Sequence, residues 1–130
     1  MTPDEYLAAI HLALVASPIV VRYRVVRQRV TSQRGHLRVR IDLSNGDFLE
    51  AAEFFGLWPD GVHVLDYRHQ WMNGERTVLR KRWDSTPHYP DLANAPHHVH
   101  NGSEDRVLPG EPMSIRAVLA QIEQEISADE

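Results

Sequence analysis

The stretch HLRVRIDLSNG, residues 36–46, constrains the fold more than any other. Leu37, Val39, Ile41 and Leu43 alternate with His36, Arg38, Arg40 and Asp42. A period of two is that of a β-strand, whose successive side chains point to opposite faces. Clean alternation of apolar and charged residues means a sheet with one covered face and one solvated face. Asn45-Gly46 follows directly and is a hairpin signal, because both residues tolerate positive φ. A strand over 47–55 is therefore expected antiparallel to the first. A two-residue loop would set Leu43 against Phe48, Ile41 against Glu50, Val39 against Ala52 and Leu37 against Phe54. That register puts Glu50 on the apolar face, where an unpaired charge is costly. A shifted register would return Glu50 to water, and both remain open at this point.

The rest of the chain reads outward from that strand. Thr2-Pro3-Asp4-Glu5 has the layout of a helix start, with Thr2 as cap and Pro3 at the first helical position. Tyr6, Leu7, Ile10 and Leu14 recur at helical spacing, and Ser17-Pro18 ends the helix. Ile19, Val21, Tyr23 and Val25 alternate with arginines, and the phase slips at Val25-Val26, which predicts a bulge. Strands are expected over 62–72 and 75–83, joined by a second Asn-Gly turn at 73–74. Residues 84–111 read as a Pro-rich loop. Ile115, Val118, Leu119, Ile122 and Ile126 then form an apolar helical stripe that Ser114 could cap. The expectation is a single α+β domain over 1–130. It has an antiparallel meander sheet of about five strands, with N-terminal and C-terminal helices packed on one face.

Composition excludes several classes of function. The chain has no cysteine, so disulfides, thiolate metal sites and a cysteine nucleophile are ruled out. It has no apolar run long enough for a membrane helix and no signal-peptide layout, so a cytoplasmic protein with no membrane partner is expected. No phosphate-binding glycine loop, dinucleotide fingerprint or nucleophile elbow is present. The net charge of −4 is unevenly spread: residues 22–82 hold twelve Arg or Lys against seven Asp or Glu. Thirteen of the fourteen basic residues are arginine, the side chain suited to two-pronged phosphate contacts.

A two-residue loop at 73–74 would place Tyr67, His69 and Trp71 on the same face as Arg76, Arg80 and Arg82. Alternating aromatics and arginines on one sheet surface suit RNA, because bases stack on rings and guanidinium groups hold phosphates. The same pattern also fits an ordinary half-exposed sheet face.

RKRWDSTPHYPDLANAPHHVHNG, residues 80–102, concentrates the imidazoles: four of the eight histidines lie within positions 88–100. We take segment 82–102 as the functional segment. His98-x-His100 sets two rings on one side of an extended chain, and His97 points the other way. Histidine titrates near neutral pH, so a pair can serve as general base and general acid. In cleavage of RNA, His98 and His100 could take those roles, with His88 as alternate, Asp84 beside them and Arg82 or Arg80 at the developing phosphorane charge. No cofactor is required for that chemistry. The alternative is a metal held by His88, His98 and His100 with a carboxylate, although the spacing matches no strong ligand pattern. A third possibility is that the imidazoles only order the loop.

The stretch RWDSTPHYPDLANAPHHVH (82–100), followed by EPMSIRAVLAQIE (111–123), resembles the TumE-type toxin family of toxin–antitoxin systems. Arg82, Trp83, Asp84, Pro87, His88 and Pro90 carry the first part of the motif. Pro96, His97, His98, His100 and Glu111-Pro112-Met113 carry the second. DYRHQW (66–71) is similar to an upstream Tyr/His segment of that family, and Ser85-Thr86 departs from its usual Asn-Ala. The resemblance implies a small cytoplasmic toxin, the toxin of a type II system, neutralised by a cognate antitoxin protein. Toxins of this size often cleave RNA, so RNA or the ribosome is the expected target. A metal-independent endoribonuclease is the first expectation. A non-enzymatic protein-interaction module and a histidine-ligated, metal-dependent phosphoesterase are the alternatives.

Overall fold

A computed structural model describes residues 1–129. The element order is α1 (Pro3–Ala16), β1 (Val20–Val30), β2 (Arg34–Leu43), β3 (Phe48–Trp58), β4 (Gly61–Met72), β5 (Leu79–Asp84), β6 (His98–Asn101), β7 (Val107–Pro109) and α2 (Ile115–Ala128). The strands form one antiparallel sheet in which spatial order equals sequence order, β1 to β7. Both helices cover the same face and share one core with it. No helix among the described residues is long and apolar enough to cross a membrane.

The helices form where the sequence places them, for the expected reasons. Thr2 Oγ1 accepts from the Glu5 amide at 3.1 Å, and Ser114 Oγ accepts from the Ala117 amide at 3.0 Å. Each cap satisfies a backbone donor that the first turn leaves free. Tyr6, Leu7, Ile10 and Leu14 are buried, as are Ile115, Val118, Leu119, Ile122 and Ile126. They pack on Leu37, Val39 and Ile41, the inward positions of the β2 alternation. Burial of each large aliphatic stabilises the fold by about 1.5–3 kcal/mol. The β1 bulge lies between Val25 and Arg27, where the phase of alternation slips.

The sheet departs from expectation in three ways. It has seven strands rather than about five, because β6 and β7 form inside the stretch read as loop. The β2–β3 connection is longer than two residues. The Leu43 amide donates to the Asp47 carbonyl, the Gly46 amide donates to the Leu43 carbonyl, and Asn45 Oδ1 accepts from the Asp47 amide. The pairing is therefore Ile41 with Leu49, Arg40 with Glu50 and Leu37 with Glu53. A one-residue slip moves every side chain to the other face. Glu50 goes to the solvated face, and Glu53 takes the fully buried position instead.

The β4–β5 connection is longer too. Asn73 Oδ1 accepts from the amides of Thr77 and Val78 at 2.8 and 2.9 Å, so residues 73–78 form the turn. His69 then pairs with Trp83, Gln70 with Arg82 and Trp71 with Lys81. Tyr67, His69 and Trp71 share the helix-covered face with Trp83, while Arg82 belongs to the open face; Arg80 lies at the β4–β5 bulge and reaches Asp47, which Trp71 also bonds. The expected mixed surface of rings and guanidinium groups is split between the two sides of the sheet.

Candidate functional site

The β5–β6 register builds the site. Arg82 pairs with His100 and Asp84 pairs with His98, so four side chains form a two-by-two block on the open face. All four are buried: Arg82 is 8 % exposed, Asp84 5 %, His98 1 % and His100 3 %. Tyr89, from the connection between the two strands, covers the imidazoles edge-on, with ring centroids 4.9 Å from His98 and 6.0 Å from His100.

Hydrogen bonds fix the tautomers of both imidazoles. His98 Nδ1 lies 3.0 Å from the Pro96 carbonyl oxygen, and His100 Nδ1 lies 3.0 Å from the Glu104 carbonyl oxygen. A carbonyl only accepts, so each Nδ1 carries a proton, and in the neutral ring the lone pair is on Nε2. His98 Nε2 is buried without a hydrogen-bond partner and lies 3.8 Å from Asp84 Oδ2.

Asp84 uses its two oxygens differently. Oδ1 accepts from the Thr86 hydroxyl at 2.6 Å and the Thr86 amide at 2.9 Å. Oδ2 faces His98, Arg82 Nε at 3.7 Å and Arg68 Nε at 4.0 Å. Burial pushes this carboxyl up, but the Thr86 bonds and the charges around it outweigh burial and hold it below the usual aspartate value. Arg82 meets Glu104 through two bonds of 2.6 Å, so much of its charge is already compensated. That pairing holds the Glu104 carboxyl below its usual value.

The block lies beside a basic cleft. Gln70 Oε1 accepts from Arg82 Nη1 and from Arg68 Nη2, each at 3.3 Å, and so joins the block to the neighbouring strands. Arg27, Arg29, Arg38, Arg68 and Gln70 line a cleft of about 650 Å³ on the open face. Arg38 is bound to Glu50, but Arg27 and Arg29 have no ion-pair partner among the described residues. Burial, followed by the charges of Arg27 and Arg38, lowers the pKa of His36 in this cleft.

The other expected residues lie elsewhere. His88 is exposed on the connection and stands apart from the block. Tyr67 and His69 are buried at 5 % and 0 % exposure, and Trp71 at 7 %. The Tyr67 hydroxyl donates to the Glu111 carbonyl at 3.0 Å and accepts from His97 Nδ1 at 2.9 Å, and its ring stacks on His97. His69 Nε2 donates to the Met113 carbonyl at 2.8 Å. Trp71 Nε1 donates to Asp47 Oδ2 at 3.0 Å. These side chains hold the 111–113 segment and the β2–β3 connection to the covered face, where bases cannot stack on them. Arg76 sits in the 73–78 turn with its guanidinium 3.9 Å from the centre of the Phe48 ring, and Arg80 pairs with Asp47 at 3.3 Å.

Sequence reasoning did not single out Arg68, Gln70, Thr86, Tyr89 or Glu104. Thr86 entered only as a departure from the family motif, and Arg68 and Gln70 only within the DYRHQW stretch.

A family model described as Toxin TumE matches residues 9–129. No curated protein and no solved structure gives a significant match to the chain.

Proposed function

Because the chain belongs to the TumE toxin family, we propose that it is the toxin of a type II toxin–antitoxin pair and acts as an endoribonuclease. The observation that carries this reading is the junction on the open face between the basic cleft and the Asp84–His98–His100 block, which Gln70 links. Arginines without acidic partners suit a phosphate backbone. Arg27 and Arg29 would hold the strand, and Arg68, half-exposed next to Asp84, would face the scissile phosphate. The imidazole Nε2 lone pairs would supply basic groups for activating the attacking oxygen. Tyr89, 37 % exposed above the imidazoles, offers a ring on which a flanking base could stack. A protein antitoxin would neutralise the toxin by covering this face.

The test is controlled induction in a bacterial host, with wild type beside the His98→Ala/His100→Ala variant at matched soluble levels. Growth arrest by the wild type alone is expected, with RNA fragments that purified protein reproduces on total RNA or ribosomes. Intact RNA under both conditions would exclude the nuclease activity.

A further inference from the structure

We propose that Asp84 Oδ2, His98 Nε2 and His100 Nε2 form a binding site for one divalent transition-metal ion. Three potential ligand atoms, one each from Asp84, His98 and His100, face one another. Both imidazoles donate Nδ1–H to backbone carbonyls, so Nε2 of each is the atom left to ligate, and that of His98 lies 3.8 Å from Asp84 Oδ2. No protein donor lies within hydrogen-bond distance of His98 Nε2. A buried ring nitrogen without a partner is costly, and an ion held between it and Asp84 would satisfy it.

The geometry fits an ion. One ligand atom from each residue lies within 4.8 Å of the others. Three such points share a centre no more than roughly 2.8 Å from each, and ligation at about 2.0–2.2 Å needs shifts of roughly 0.6 Å. The surroundings are those of ligands held in place. Each Nδ1–H donates to a carbonyl, and the second oxygen of Asp84 is bound by Thr86. Two imidazoles with one carboxylate favour zinc, iron or manganese over magnesium or calcium. Three protein ligands leave a position open for water or a phosphate oxygen. Arg82 Nε, buried without a hydrogen-bond partner, lies 3.7 Å from Asp84 Oδ2. An ion bound here would occupy the Nε2 lone pairs that the nuclease reading uses as bases, so the site does not rest on that reading. A bound metal without RNA cleavage would keep the site and defeat only the nuclease reading.

The experiment uses full-length protein without a histidine tag, stripped with chelator. Zn²⁺ is titrated calorimetrically, and Co²⁺ is followed by its visible absorption. One equivalent of Zn²⁺ should bind, with no heat from Mg²⁺. His98→Ala and His100→Ala should each weaken binding more than about 100-fold, beyond the loss of an outer partner, and His88→Ala should leave it unchanged. Should the alanine variants unfold, nitrogen NMR of the wild type provides the test. Zn²⁺ should shift the His98 and His100 Nε2 signals and leave those of His63 and His88 in place. Absence of stoichiometric Zn²⁺ binding, binding that survives His98→Ala, or an ordered water alone between the three groups after a zinc soak would overturn the proposal.

Discussion

The Tyr6 hydroxyl donates to Oε2 of the buried Glu53 at 2.5 Å, while the other carboxylate oxygen accepts from the Ile115 amide at 2.7 Å. One side chain of β3 thus ties both helices to the sheet. Burial raises the Glu53 pKa from its ordinary 4.5, against the opposing pull of those two bonds. The folded carboxyl holds its proton more tightly than the unfolded one. Its contribution is therefore complete below 4.5 and lost as pH rises through the folded value. Glu53→Gln should remove that slope and keep the fold, read by denaturant titration across pH. Glu53→Ala leaves two donors unsatisfied and should cost at least about 2 kcal/mol.

His69 gives a slope of the other sign. Burial lowers its pKa from 6.5 to about 4 despite its bond to Met113. The folded imidazole stays neutral where the unfolded one charges. Stability from this group is complete above 6.5 and lost as pH falls toward about 4, by about 3 kcal/mol in total. Denaturant midpoints at pH 7.5 and 4.5 should diverge less in His69→Gln than in wild type. Equal divergence would show that the acid loss lies elsewhere.

Thr86→Val removes the hydroxyl that donates to Asp84 Oδ1 at 2.6 Å and keeps the amide bond. An outer partner of a metal ligand contributes about 10–100-fold in affinity. Zn²⁺ affinity should fall about 10-fold with the melting temperature little changed. Unchanged affinity would mean the amide alone orients the carboxylate.

Glu104→Ala frees Arg82 from its two-pronged pairing. Glu104 is 64 % exposed, so screening keeps the stability loss under about 1 kcal/mol. The released cation should add one phosphate contact. The slope of log affinity against log salt for a single-stranded RNA should then steepen by about 0.7. An unchanged slope would place Arg82 outside the RNA path.

Legibility varied along the chain. The helices were readable because their signals are local: Thr2 and Ser114 as caps, and the Ile115–Ile126 stripe at helical spacing. The β2 alternation fixed which of its residues face inward. Strand registers were not readable, because Asn45 and Asn73 each use a side-chain oxygen to widen the turn. That choice moved Glu50 to water and separated Tyr67, His69 and Trp71 from Arg82. β6 and β7 are four and three residues long, too short for a period to show. Asp84, His98, His100 and Arg82 could therefore be picked out by chemistry, but their juxtaposition depends on a strand that the pattern does not reveal.

The family motif divides by face. Asp84, His98 and His100 meet on the open side, while Tyr67, His69 and His97 hold the 111–113 segment on the other. Residues that look equally functional in a row of letters differ because alternate positions in a strand go to opposite sides.

The consecutive order of the seven strands has a consequence for how the protein comes into being. Each strand can pair with the one made just before it, so the sheet can grow in step with synthesis. α2 follows every strand, and its Ile115, Val118 and Ile122 complete the core over the face that opposes the Asp84–His98–His100 block. Until that helix emerges, the sheet carries an uncovered apolar side and stays short of its full stability. A nascent chain would thus reach the stability of the folded domain only once α2 docks.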